Sequence, residues 1–226
     1  RFEPGMRSAE LDRVFGDLRS WLPGLIRSVS ERQAAVPLTP LRGPFPREAQ
    51  RALSLEVMER LGFDFNGGRL DESTHPYTGG VPEDVRLTTR YDLDDFTSSL
   101  NSTIHETGHS LYEQGLPREW VSQPLGRARS MGLHESQSLF YEMQLARSEA
   151  FVRWLAPIAG RHFGAGLSPE ALLGLATRVA PGKIRVDADE LSYPLHVILR
   201  YEIERALIDG DIEAEDLPAV WDEKMQ

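Results

Sequence analysis

At 226 residues, with 40% hydrophobic and 27% charged side chains, the chain is long enough for one full apolar core and has an ordinary globular composition. Its formal net charge of -10 argues against a nucleic-acid partner, which needs a basic face, and no apolar run approaches the roughly 18–20 residues that cross a membrane. With no cysteine there is neither a disulfide framework nor a thiolate site, so any metal must be held by His and carboxylate.

The first residues carry Glu3 and Pro4 instead of the charged-then-apolar pattern of a signal peptide, and a cytoplasmic location is expected. The chain opens on Arg1 and stops inside the helical-looking run Ala219–Gln226, so both ends read as cuts in a longer protein. Leu11, Val14, Phe15, Leu18, Leu22, Leu25, Ile26 and Val29 recur at three- and four-residue steps and predict an amphipathic helix. Pro23-Gly24 should kink or split it. Residues 35–46 are rich in proline and read as a loop, and a second helix is expected over 47–61.

Phe63 to Leu70 then alternates around Asn66-Gly67, which reads as a hairpin, and Asp84 to Tyr91 alternates again. These runs predict a small antiparallel sheet of about three strands, interrupted by a loop over 75–80. From residue 92 onward helices are expected over 93–114, closed by Gly115, over 133–158, from the cap Ser168-Pro169-Glu170, over 187–208, closed by Gly210, and from Glu215. The fold class that results is mainly α with a minor sheet beside the presumed active site. The whole of 1–226 reads as one catalytic-core domain.

The decisive run is His105-Glu106-Thr107-Gly108-His109. Histidines four apart on a helix stack on one face, where both imidazoles can share a metal ion. The intervening Glu106 can reach a water on that ion without ligating it. A mid-helix glycine costs ~1 kcal/mol against alanine, so Gly108 points to close packing behind the metal.

Two ligands do not close a zinc site. Glu135, 26 residues after His109, begins the next helix, which returns beside the first pair, and His2Glu plus one open position is a standard catalytic set. Taken by itself, an ordinary surface carboxylate is the commoner reading of Glu135. Glu106-x-x-His109 is also the E-x-x-H element of di-iron bundles, but the other match, Glu72 to His75, falls in a non-helical stretch.

Further elements surround this core in order: His75-Pro76-Tyr77, Asp84-Val85-Arg86-Leu87-Thr88, His134-Glu135-Ser136-Gln137, and Ile184-Arg185-Val186-Asp187-Ala188-Asp189, which continues into Tyr193-Pro194-Leu195-His196. On these residues the chain resembles the carboxypeptidase Taq family of metallocarboxypeptidases. They match its signatures His-Pro-Phe (with Tyr77 for Phe), D-x-R-x-T, H-E-x-x-H, H-E-S-G/Q and I-R-x-x-A-D. The resemblance implies His105, His109 and Glu135 as metal ligands, Glu106 as general base, zinc or cobalt as the ion, and a largely helical zincin-like fold. It also implies a homodimer that releases single residues from peptides with a free C-terminus. Family members run to about twice this length, so an N-terminal helical cover and a final segment are missing here.

A carboxypeptidase must hold the substrate's terminal carboxylate, which an arginine fork does best. Arg185 is the first candidate and Arg86 the second, each weighed against a structural ion pair, for which Asp84 is a ready partner of Arg86. His75, Tyr193 and His196 are candidate donors to the oxyanion, weighed against packed, hydrogen-bonded roles. His134 is placed to orient a ligand from behind, and His162 is expected at the surface. Two other functions stay open: a helical zinc endopeptidase or oligopeptidase, and a metal-binding fragment without turnover.

Overall fold

The computed structural model describes residues 3–164 and 167–225. The chain divides into two compact units, one of Arg1–Gly5 with Leu38–Ala176, the other of Met6–Pro37 with Thr177–Gln226.

The first unit contains helices α2 (Arg47–Leu61), α3 (Phe96–Gln114), α4 (Met131–Leu139), α5 (Glu149–Phe163) and α6 (Pro169–Ala176), with strands β1 (Gly68–Glu72), β2 (Tyr77–Val81) and β3 (Asp84–Thr89). The mainly helical class and the three-stranded sheet are as expected from sequence. The pairing is not. The order is β1-β3-β2, with β1 parallel and β2 antiparallel to the central β3, so the sheet is mixed and not wholly antiparallel.

The hairpin lies across Pro82-Glu83, where Val81 pairs with Asp84, and not at Asn66-Gly67. A local bond explains the difference: the Asp64 carboxylate accepts the Asn66 N–H at 2.9 Å and starts a single 3-10 turn. Gln114, at the end of α3, then donates to the carbonyls of Asp64 and Gly67 at 2.9 and 3.1 Å and ties that turn to the helix. At Gly68, an added Cβ would lie 2.1 Å from the Val85 carbonyl oxygen, so the close approach of β1 to β3 requires glycine.

Alternation in β3 is as predicted, with Val85, Leu87 and Thr89 buried. Leu87 and Leu70 meet Met58 of α2 and Phe63. The main core gathers Phe45, Leu53, Phe96, Ile104, Val152 and Leu155. Phe45, Phe96 and Phe163 form a ring cluster with centroids 4.6–5.0 Å apart.

The expected helix over 133–158 is interrupted. After α4 a π-turn covers Phe140–Leu145, and α5 restarts where Ser148 Oγ accepts the Phe151 N–H at 3.2 Å. On the other side, Asp95 caps α3 by accepting the Thr97 N–H at 2.8 Å.

The second unit contains α1 (Ser8–Ala34), α7 (Tyr193–Asp209) and α8 (Leu217–Lys224). α1 runs as one helix through Pro23, so the split expected there does not occur. Leu22 and Ile26, on either side of the proline, are both clamped in a cluster with Val179, Leu191 and Leu195, and this packing overrides the local defect. α7 begins six residues later than the sequence pattern suggested, at Tyr193 and not 187. The buried Asp189 explains this, accepting the N–H groups of Leu191 (2.9 Å), Ser192 (3.0 Å) and Ala180 (3.0 Å), which holds the approach in a loop. Gly210 closes α7 in the left-handed region at φ 78°. The helical run expected to reach Gln226 is α8, and Gln226 itself lies outside the described residues. Among the described residues no helix is long and apolar enough to cross a membrane.

Candidate active site

α3 presents His105 and His109 on one face, with ring centroids 5.0 Å apart, and α4 carries Glu135 across to them. The Glu135 carboxylate lies 3.2 Å from His109 Nε2 and 3.9 Å from His105 Nε2. One donor atom from each of the three residues lies within 4.8 Å of the other two.

Gly108 makes this approach possible. A Cβ there would stand 2.6 Å from Ser138 Cα and 2.9 Å from the Gln137 carbonyl oxygen, so the glycine lets the backbone of α4 lie directly on α3. The close packing expected behind the metal is therefore present.

The donor set, two imidazoles and a carboxylate, fits a divalent cation. Ligands at 2.0–2.2 Å on a tetrahedron stand about 3.4 Å apart. Glu135 Oε2 stands 3.2 Å from His109 Nε2, near that value, and the other oxygen, Oε1, stands 3.9 Å from His105 Nε2.

Each imidazole is also held from behind. His105 Nδ1 lies 2.8 Å from Glu142 Oε2, and the other Glu142 oxygen lies 3.5 Å from Arg147 Nη2. His109 Nδ1 lies 2.6 Å from His134 Nδ1, and His134 Nε2 lies 2.8 Å from Glu113 Oε1. Burial of His105 opposes its charged form, but the hydrogen bond and charge of Glu142, with the charges of Glu135 and Glu106, outweigh it and raise its pKa.

Glu106 is buried on the side of α3 that faces the sheet. Thr78 Oγ1, from β2, stands 2.6 Å from its Oε2 and 3.0 Å from its carbonyl oxygen. Ser110 Oγ donates to the same carbonyl at 2.8 Å. The contact of Thr78 with Oε2 fixes the carboxylate's direction.

The remaining sequence candidates belong partly to the first unit and partly to the second. Arg86 is committed to Asp84, with Nη2 2.6 Å and Nε 3.0 Å from Oδ2, which is the structural pairing weighed against a substrate role. His75 is exposed in the loop before β2, and its carbonyl accepts from Thr88 Oγ1 at 3.1 Å. Arg185, Tyr193 and His196 all belong to the second unit. There Arg185 Nη1 donates to Tyr193 Oη at 3.1 Å, and His196 is buried. His162 is half-buried, contrary to expectation, with Nε2 2.8 Å from Glu56 Oε2. The di-iron alternative loses its second element, because Glu72 ends a strand.

Sequence reasoning missed Thr78, Glu113, Glu142 and Arg147. Two had a periodic signal: Glu113 follows His109 by one helical turn, and Glu142 follows Glu135 by two. Thr78 and Arg147 had none.

A family model described as carboxypeptidase Taq (M32) metallopeptidase matches residues 1–226. The chain belongs to the carboxypeptidase Taq family. Among its relatives, carboxypeptidase 1 of Bacillus subtilis is 39% identical over 233 residues, covering 100% of this chain and 46% of that protein. Thermostable carboxypeptidase 1 of Thermus thermophilus is 42% identical over 226 residues, covering 99% of this chain and 44% of that protein. The solved structure of Trypanosoma cruzi metallocarboxypeptidase 1 is similar at a TM-score of 0.95 and 52% identity, over 99% of this chain and 47% of that one. The chain thus spans about half the length of the curated relatives it matches.

Proposed function

We infer that the protein carrying this chain is a zinc-dependent carboxypeptidase that removes single residues from the free C-termini of peptides. The observation that carries this reading is the convergence of His105, His109 and Glu135 beside Glu106, whose carboxylate is held in place by Thr78. These three residues would hold the ion, with zinc as the first choice and cobalt the second. Bound there, a divalent cation supplies Lewis acidity, which acidifies water and polarises the scissile carbonyl.

Glu106 takes the proton of the attacking water and passes it to the leaving amine. Thr78 keeps that carboxylate aimed through both steps, and the backing of His105 and His109 keeps the imidazoles from turning. Arg185 is the proposed clamp for the terminal carboxylate, with His75, Tyr193 and His196 as donors to developing negative charge. These substrate roles rest on the family's motifs. The homodimer, the cytoplasmic location and the single catalytic domain over 1–226 belong to the same reading. Light scattering, cell fractionation and a single cooperative unfolding transition check them in turn.

The direct test uses an N-blocked dipeptide with a free carboxylate beside its C-terminal amide. Cleavage of the acid alone is expected, and Glu106→Gln should lower the rate by about 10²- to 10⁴-fold while metal content stays at that of the parent. Equal cleavage of the amide would make the protein an endopeptidase, and stoichiometric metal without hydrolysis would make this chain a binding fragment.

A further inference from the structure

We propose that His134 and Glu113 are positioning residues for the metal site, forming a relay that locks His109 in the tautomer with Nε2 free to ligate. The proposal rests on the metal reading above and deepens it.

The argument is one of proton counting. His109 and His134 face each other through their Nδ1 atoms at 2.6 Å. Two neutral rings at that distance need one proton between them, since two lone pairs or two N–H groups would repel. His109 Nε2 is turned to Glu135, 3.2 Å away, so a His109 that ligates through Nε2 carries its proton on Nδ1. His134 Nδ1 must then be the acceptor, which puts the His134 proton on Nε2. At that atom stands Glu113 Oε1, 2.8 Å away, and an ionised carboxylate can only accept. The contacts of His134 with Glu113 and with His109 therefore agree on one arrangement, and it leaves the His109 Nε2 lone pair facing the Glu135 carboxylate, a pair that a cation between them would satisfy. Tyr112 packs on the His134 ring, with centroids 4.7 Å apart, and His134 is mostly buried, with 15% of its side chain exposed. The ring therefore has little room to turn.

His105 is backed differently, by the Glu142 carboxylate directly. One ligand histidine thus donates to an anion and the other to a neutral ring, with the anion one residue further back.

The test compares His134→Asn with His134→Phe. Asn places an acceptor close to where Nδ1 was, whereas Phe keeps the ring and its packing but offers no acceptor. Zinc affinity is measured by competition with a chromophoric chelator, after circular dichroism shows parental helix content. The expected result is a loss of about 10- to 100-fold for Phe and a loss of only a few-fold for Asn. His134→Gln, whose polar end falls nearer Nε2, serves as the acceptor-deficient variant should Phe fail to fold. In the zinc-loaded parent, ¹⁵N NMR of the His134 ring is expected to show the Nε2–H form.

Equal affinities for Asn and the acceptor-deficient variant, or a proton on His134 Nδ1, would overturn the relay and leave the metal reading standing. A parent that binds no zinc would remove both. A parent that binds zinc and loses it in His109→Ala, with the Asn–Phe difference as stated, supports both.

Discussion

Helices α3 and α5 pack in the same unit, yet the active-site half of α3 is held by other means than α5. α5 buries hydrocarbon: Phe151, Val152, Leu155, Ala156, Ile158 and Ala159. α3 buries polar groups through its active-site half, with Thr103, Glu106, Thr107 and Ser110 all inside. Those hydroxyls are satisfied locally, as Thr103, Thr107 and Ser110 each donate to the carbonyl four residues back, at 2.9, 2.6 and 2.8 Å. The turns that carry imidazoles and a carboxylate into the interior cannot also be an apolar stripe. They are held instead by hydrogen bonds and by close backbone approach, while Phe96, Leu100 and Ile104 anchor the first half of α3 in the apolar core that α5 also builds.

The largest expected effect falls on the scaffold side. Leu155→Ala should cost about 2–5 kcal/mol, read as a drop in the chemical unfolding midpoint, because it empties a site in the main core. Metal affinity of the folded fraction should stay at the parental value. A parallel loss of affinity would break the division of labour between the two helices.

Gly108→Ala comes next and tests the site side. On an exposed helix this change would stabilise by ~1 kcal/mol through propensity. Here the new methyl meets Ser138 Cα at 2.6 Å, backbone that cannot swing aside, so an overpacking cost of about 1–3 kcal/mol opposes the gain. Net destabilisation is expected, with zinc affinity down by about tenfold or more as Glu135 is pushed from the histidines. A more stable variant with unchanged affinity would show that the α3–α4 contact does not set the site.

The smallest effect concerns the outer contact of α5 with α2. The His162 hydrogen bond lowers the Glu56 pKa, with burial opposing and the Arg161 charge assisting. A lowered carboxylate pKa stabilises the fold at pH above the unfolded value, and the contribution is lost as pH falls through the folded value. Glu56→Gln should therefore reduce stability at neutral pH by under about 1 kcal/mol, and the difference from the parent should vanish in acid. A difference that persists at low pH would assign the effect to packing.

The sequence alone determined the helix-borne pair His105 and His109 with Glu106 beside them, because a spacing of four on a period of 3.6 leaves no other face for them. It also determined the helix α2 and the alternation of β3, both of which depend on local periodicity. Tertiary structure decided the rest. It paired β1 parallel to β3, since Gln114 ties the Asn66-Gly67 turn to the end of α3. It carried α1 through Pro23, since apolar contacts on both sides outweigh one missing hydrogen bond. It also brought Glu135, Glu142, His134 and Glu113 around the two imidazoles. No rule of sequence spacing fixes which carboxylate of a neighbouring helix meets a given ring. That is settled by how closely the two backbones pack, and here a single missing side chain at Gly108 sets the distance.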